Sequence, residues 1–282
     1  MYEFNAKPEE ILLVCSADSH YSMAKSANLL NIPLLKAEVD QFTRKIDSEK
    51  LKTSLIAKKE NGTKYIIAVA NMMTTMFGSV DDPSDYTSLF SALDLPYKLH
   101  IDGAYGGFYY PFSNKENILN FNNPDITSIT IDAHKMAQAP YGTGIFLIRK
   151  DWMKFAQTKE ASYVEGDDCT LIGSRSGANA VSVWMILSKY GPYGWMEKIF
   201  VLQKRTDWLC EQLQSRNLVF FRDKHANIVT IDSSSVDYEI AEHYHLIPDN
   251  HNDPKWFKIV VMDHVSIDKL KEFLTAIDEK RD

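Results

Sequence analysis

The sequence predicts an α/β protein, with a large part built on a mostly parallel sheet and a smaller α+β part at the C-terminal end. Three observations carry the prediction. Up to about residue 180, short apolar runs alternate with amphipathic stretches, as strands and helices do when taken in turn. The run YIIAVA at 65–70 is too apolar to have a wet face, which is typical of a parallel strand covered on both sides. After residue 150 the pattern changes to two long helical stretches, short strand-like runs and a closing helix.

Taken in order, residues 11–15 read as a buried strand. Residues 21–31 read as a helix, with Ser19 or Ser22 as its cap and Asn31-Ile32-Pro33 as its stop. A strand at 34–39 precedes a solvated helix at 47–59 that Asn61-Gly62 ends. Past the 65–70 strand, 83–93 is a helix with Pro83 in its first turn. Strands follow at 99–102, 128–132 and 144–148. Helices at 178–190 and 193–215 are broken at Gly191-Pro192. Strand-like runs at 219–221 and 228–231, a helix at 236–245, a strand at 256–262 and a helix at 266–277 complete the chain. We divide it into a large domain, 1–180, and a part of linking helices and a small C-terminal domain, 181–282.

The chain has 282 residues, enough for one large domain or two smaller ones, and 45% of them are hydrophobic. Its net charge of −7 argues against a nucleic-acid or anionic-membrane surface. Cys15, Cys169 and Cys210 form no CxxC pair, which points to a reducing compartment without disulfides. The first ten residues are acidic, the apolar run after them is too short for a signal, and no run is long enough to span a membrane. Cytoplasmic location is the expectation.

Four segments carry chemistry: Ser16-Ala-Asp-Ser-His20-Tyr-Ser; Met73-Thr74-Thr75-Met-Phe-Gly78; His100-Ile-Asp102-Gly-Ala104-Tyr105-Gly-Gly-Phe108; and Asp132-Ala-His134-Lys135-Met. Each follows a predicted strand, and in open α/β sheets ligands bind beyond the carboxyl ends of the strands. Singly, each has an ordinary explanation: a capping His, a turn Asp, a solvated Lys, or aromatic side chains such as Tyr105 and Phe108 that pack the core. It is the ordered set that points to a site. His243-x-His245 lacks a third ligand, so no metal is expected. Neither a phosphate-binding GxxxxGK[ST] or GxGxxG loop nor a GxSxG elbow is present.

With Gly173-Ser-Arg175-Ser-Gly-Ala178 added, these segments resemble the group II pyridoxal-phosphate-dependent amino-acid decarboxylases over nearly the whole chain. The resemblance implies a large domain of the fold type I class, pyridoxal 5′-phosphate as cofactor, a homodimer, and decarboxylation of an L-amino acid to the amine and CO2. It assigns Lys135 and His20 as catalytic residues. Asp102, Ala104, Thr75, His134, Lys135 and His20 would contact the cofactor, and Arg175 would bind a substrate carboxylate. The chemistry agrees. Only lysine supplies an amine for a Schiff base with the aldehyde. A carboxylate such as Asp102 favours a protonated pyridine nitrogen. His20 would lie against the ring and handle protons, and His134 would touch the phosphate.

Two departures stand against that pattern. The family's Gly-rich phosphate loop lies upstream of the His20-type motif, but this chain has 19 residues ahead of His20 and no such loop. The expectation is a form shortened relative to the family. Met73 stands where the family usually has Gly, so a side chain is expected to crowd the turn or the cofactor face. The segment 150–172 is read as a substrate-covering loop. The alternatives are a related carbon–carbon lyase of the sphingosine-phosphate type, or a non-catalytic fragment.

Overall fold

The computed structural model describes residues 5–157 and 168–281. The middle of the expected covering loop, 158–167, lies outside the described residues. A six-stranded sheet runs in the order β2-β1-β3-β4-β5-β6, from β1 (Ile11–Ser16), β2 (Leu34–Ala37), β3 (Tyr65–Asn71), β4 (Tyr97–Asp102), β5 (Ile126–Asp132) and β6 (Gly144–Ile148). The first five are parallel, and β6 pairs antiparallel with β5. The helices between them are α1 (Ser22–Leu30), α2 (Ser48–Glu60), α3 (Pro83–Ala92) and the short α4 (Tyr110–Ser113).

Every residue of β1 is buried, as a strand covered on both faces requires. The side chains of Asp47 and Asp82 cap α2 and α3 by accepting the backbone N–H of Lys50 and Ser84. The start of α1 corrects the sequence reading, because neither Ser19 nor Ser22 caps it. Tyr21 stands at the cap without a side-chain bond, and the Ser22 N–H goes to His20 Nδ1 at 3.3 Å. The imidazole therefore takes up an amide that a hydroxyl was expected to serve.

The long helix α5 (Gly177–Ser215) has a non-helical residue, Gly191 (φ 58°, ψ 179°), just before Pro192, so it is two helices across a kink. Trp195, Ile199 and Leu202 pack into the core of the first sheet, whereas Leu209 and Leu213 pack into a second core with Phe257 and Phe273. That core lies on an antiparallel sheet of order β7-β8-β10-β9, from β7 (Phe220–Phe221), β8 (Ile228–Asp232), β9 (Ile247–Pro248) and β10 (Trp256–Val260). Helices α6 (Tyr238–His243) and α7 (Ile267–Arg281) cover it. Among the described residues, no helix is long and apolar enough to cross a membrane.

Candidate active site

Strand register builds the floor of the site. Asn71 pairs with Asp102 and Asp102 with Thr130, so the C-terminal ends of three adjacent strands present one polar row. Neighbouring strands lie about 4.8 Å apart, so the row is compact. Gly106 is required behind it, since a Cβ there would sit 2.1 Å from the Met72 carbonyl oxygen. Above the row is a cavity of about 260 Å³ whose lining includes His20, Thr75, Asp102, Ala104, Asp132 and Lys135.

The sequence-predicted residues mostly meet here. Lys135 and Asp102 share the cavity, the arrangement on which the cofactor reading depends. The Lys135 amine is 3.2 Å from a carboxylate oxygen of Asp132, three residues earlier. Ala104 N–H donates to Asp102 Oδ1 at 3.1 Å, fixing that carboxylate at the strand end. His20 Nδ1 takes the Ser22 N–H and lies 2.8 Å from Ser22 Oγ. That leaves Nε2 to carry the proton of the neutral ring. Burial, and then the nearby Lys135 cation, hold the His20 pKa below its ordinary value.

Two predicted residues stand apart from the lining. His134 lies beside it, with Nε2 3.7 Å from Asp132 Oδ2, its ring 5.0 Å from Tyr141, and a buried Nδ1 without a partner. Arg175 is exposed and 4.0 Å from Asp168. The structure gives it a loose surface ion pair, a kind worth little in water, and does not bring it to the cavity.

The cavity also holds residues to which the sequence reading gave no role, among them Asn71, His100, Thr130 and Asp132. Asp132 had a signal, since an Asp three residues before a Lys is within reach on one turn. His100 is half-buried, with Nδ1 2.8 Å from Ser128 Oγ, and desolvation lowers its pKa. Met73 has φ +72°, a backbone region that favours glycine, and its buried side chain faces the cavity, as the departure from Gly led one to expect. Tyr105 lines the cavity and meets the Asn227 side chain, whereas Phe108 packs against Trp195.

The second sheet buttresses the turn that carries Thr75. Lys258 Nζ on β10 donates to the Thr75 carbonyl at 2.9 Å. Phe77 lies edge-on to Phe221 and Trp256, and a Cβ on Gly78 would lie 2.8 Å from the Ile228 Cβ.

Such a fold and site define a class, α/β proteins with a lysine and a carboxylate in one cavity at the carboxyl edge of a mostly parallel sheet. Residues 3–230 match the family described as the pyridoxal-dependent decarboxylase conserved domain. The chain belongs to that family, whose membership implies pyridoxal phosphate as cofactor. It is 52% identical over 273 residues to a tryptophan decarboxylase of Clostridium sporogenes, a match covering 96% of this chain and 66% of the relative. Its fold is similar to that of a sphingosine-1-phosphate lyase of Burkholderia pseudomallei (TM-score 0.80, 17% identity), covering 96% of this chain and 62% of the lyase. It is also similar to a glutamate decarboxylase of Lactobacillus brevis (TM-score 0.77, 17% identity, 96% and 65%). At these identities the two structures speak for the fold alone. The chain spans just under two thirds of the length of all three.

The residues present fit the cofactor. One cavity gathers an amine, a carboxylate and an imidazole, and His134 Nδ1 is a buried group left free for a further partner.

Proposed function

We propose that this chain decarboxylates an L-amino acid to its amine and CO2 with pyridoxal phosphate held at Lys135, and that an aromatic amino acid, tryptophan first, is the substrate class. The observation that carries the reading is the shared cavity of Lys135 and Asp102. When bound, the cofactor supplies an electron sink for the bond electrons that the departing CO2 leaves behind. Lys135 contributes the amine that holds the aldehyde, and Asp132 keeps that amine in place at 3.2 Å. Asp102 would pair with the ring nitrogen of the bound cofactor and favour its protonated form. His20, neutral at pH 7, would lie against the cofactor ring and could pass a proton at Nε2. Ala104 and Thr75 bound the pocket, and His134 offers Nδ1 to the phosphate.

The substrate class rests on the 52% identity to the tryptophan decarboxylase. The lyase alternative has only the shared fold behind it. The division at 180/181 separates the residues of the cavity from the second core. A homodimer is part of the proposal, supported by exposed Val181, Trp184 and Met185 on α5, and sedimentation checks it. The free state of Cys15, Cys169 and Cys210 supports a cytoplasmic setting.

Borohydride reduction in the presence of pyridoxal phosphate, followed by peptide mapping, tests the site: the label is expected on Lys135, and a label elsewhere or none overturns the reading. A panel of L-amino acids scored for CO2 release tests the reaction, with tryptophan expected to lead. Because His20 must be neutral and its pKa is depressed, CO2 release should persist as pH falls to the ordinary histidine value of 6.5 and decline only below it.

A further inference from the structure

Asn71, at the end of β3, is 2% exposed and lines the cavity. Its side-chain amide has two N–H groups held at a fixed angle in one plane. They go to two different loops. One partner is Ser19 Oγ at 2.9 Å, and the other is Asp81 Oδ2 at 2.7 Å. Ser19 directly precedes His20. Asp81 closes the turn that carries Met73, Thr74 and Thr75. It does so from both sides, because its Oδ2 also accepts the Asn71 backbone N–H at 2.9 Å and its own N–H donates to the Asn71 carbonyl at 2.9 Å. Tyr86 OH, fully buried on α3, donates to the same carboxylate oxygen at 3.1 Å.

Asp81 is 6% exposed, and among the described residues no cation forms an ion pair with it. Burying a carboxylate is costly unless hydrogen bonds satisfy it, and here three donors meet at one oxygen. Most of this polar set serves one small amide between the loop of His20 and the turn of Thr75, on either side of one cavity.

We propose that Asn71, held by Asp81 and bonded to Ser19, is a positioning residue that locks the His20 loop and the Thr75 turn into one rigid unit around the cofactor. The inference rests on the reading of the cavity as the cofactor site for its purpose, but the coupling itself is a property of the chain alone. Ser19→Ala removes the link between the loops, together with the hydroxyl's contact to Cys15 in β1, and leaves Asp81 and the turn closure intact. Ser19→Thr keeps the acceptor oxygen.

The test is amide hydrogen exchange on the cofactor-free full chain, with melting temperature and the dissociation constant for pyridoxal phosphate measured alongside. Ser19→Ala is expected to speed exchange about tenfold in 73–79 as well as in 17–21. Melting should fall by only a few degrees and the dissociation constant should rise several-fold, with Ser19→Thr restoring both exchange and affinity. Asn71→Leu is expected to loosen both segments further. The proposal is overturned if Ser19→Ala changes exchange in its own loop alone, or if affinity falls equally in the Ser19→Thr protein. Failure of the unmodified chain to bind pyridoxal phosphate would sink the cofactor reading and the positioning role with it; the exchange data would still decide separately whether the two loops are coupled.

Discussion

β3 and β6 are alike in sequence and opposite in setting. Both are short apolar runs, YIIAVAN and GIFLI. In β3, five of seven residues are buried, and the strand ends in Asn71 on the floor of the cavity. In β6 no residue is buried, and Phe146 and Leu147 are 50% and 41% exposed. Beneath β6 runs a groove of about 410 Å³ lined by Ile11, Ile67, Phe146, Ile148, Trp152 and Phe155. The contrast teaches that an apolar run states what surface a strand needs, while its place in the sheet order decides whether the described residues supply it. β3 lies between β1 and β4; among the described residues β6 has a neighbour on one side only.

The sharpest break between the two regions should be functional. Lys135→Ala is expected to lower CO2 release about a thousandfold or more, since no other group supplies its amine, while Leu147→Ala changes it less than about twofold. Comparable losses would mean that the β6 face belongs to the site. Stability should divide the strands next. Ile66→Ala in β3, at 2% exposure, should cost about 2–5 kcal/mol in chemical denaturation. Leu147→Ala should cost under about 1 kcal/mol. Equal costs would show that something covers β6 in solution.

The same contrast marks what the sequence could and could not show. Apart from the two-residue β9, which was not read as a strand, strand boundaries came through within a residue or two because apolar runs and Asn or Pro stops are local. Asp102 and Lys135 were legible because each closes or follows a strand within a recognisable segment. Asn71 was not, because its partners Ser19 and Asp81 lie 52 and 10 positions away and an Asn at a strand end has no distinctive pattern. The His20 contact that replaced the expected serine cap depends on a side-chain rotamer, which no spacing encodes. Arg175 looked like a carboxylate ligand from its segment, yet it is exposed beside Asp168.

Asp81 sharpens the comparison from the buried side. Burial raises its pKa to about 6, against the pull of hydrogen bonds from Asn71 and Tyr86, with Asp18 adding a smaller push upward. A carboxyl whose folded pKa is raised stabilises the fold most below its unfolded value near 3.8. That contribution is lost as pH rises through about 6. Roughly 3 kcal/mol is at stake, at about 1.4 kcal/mol per unit. Asp81→Asn keeps an acceptor oxygen for the same donors, so it should flatten the change in stability between pH 4 and 6. An unchanged pH profile in urea melts would show that the carboxyl does not titrate there.

The smallest effect is a reversal of order at Met73. Truncating this buried side chain loses packing in any variant, so Met73→Ala and Met73→Gly both start from a similar deficit. At an ordinary position the Gly variant is then about 0.5–1 kcal/mol the less stable, because glycine has more freedom to lose on folding. Met73 has φ +72°, where a Cβ crowds the following carbonyl at a cost of about 1–2 kcal/mol. Alanine keeps that cost and glycine removes it. The two terms oppose, and the larger one favours glycine, so Met73→Gly should be more stable than Met73→Ala by up to about 1 kcal/mol in urea unfolding. The usual order, with alanine ahead, would mean that the turn relaxes out of the left-handed region once the methionine side chain is gone, and that the side chain itself holds the turn in place.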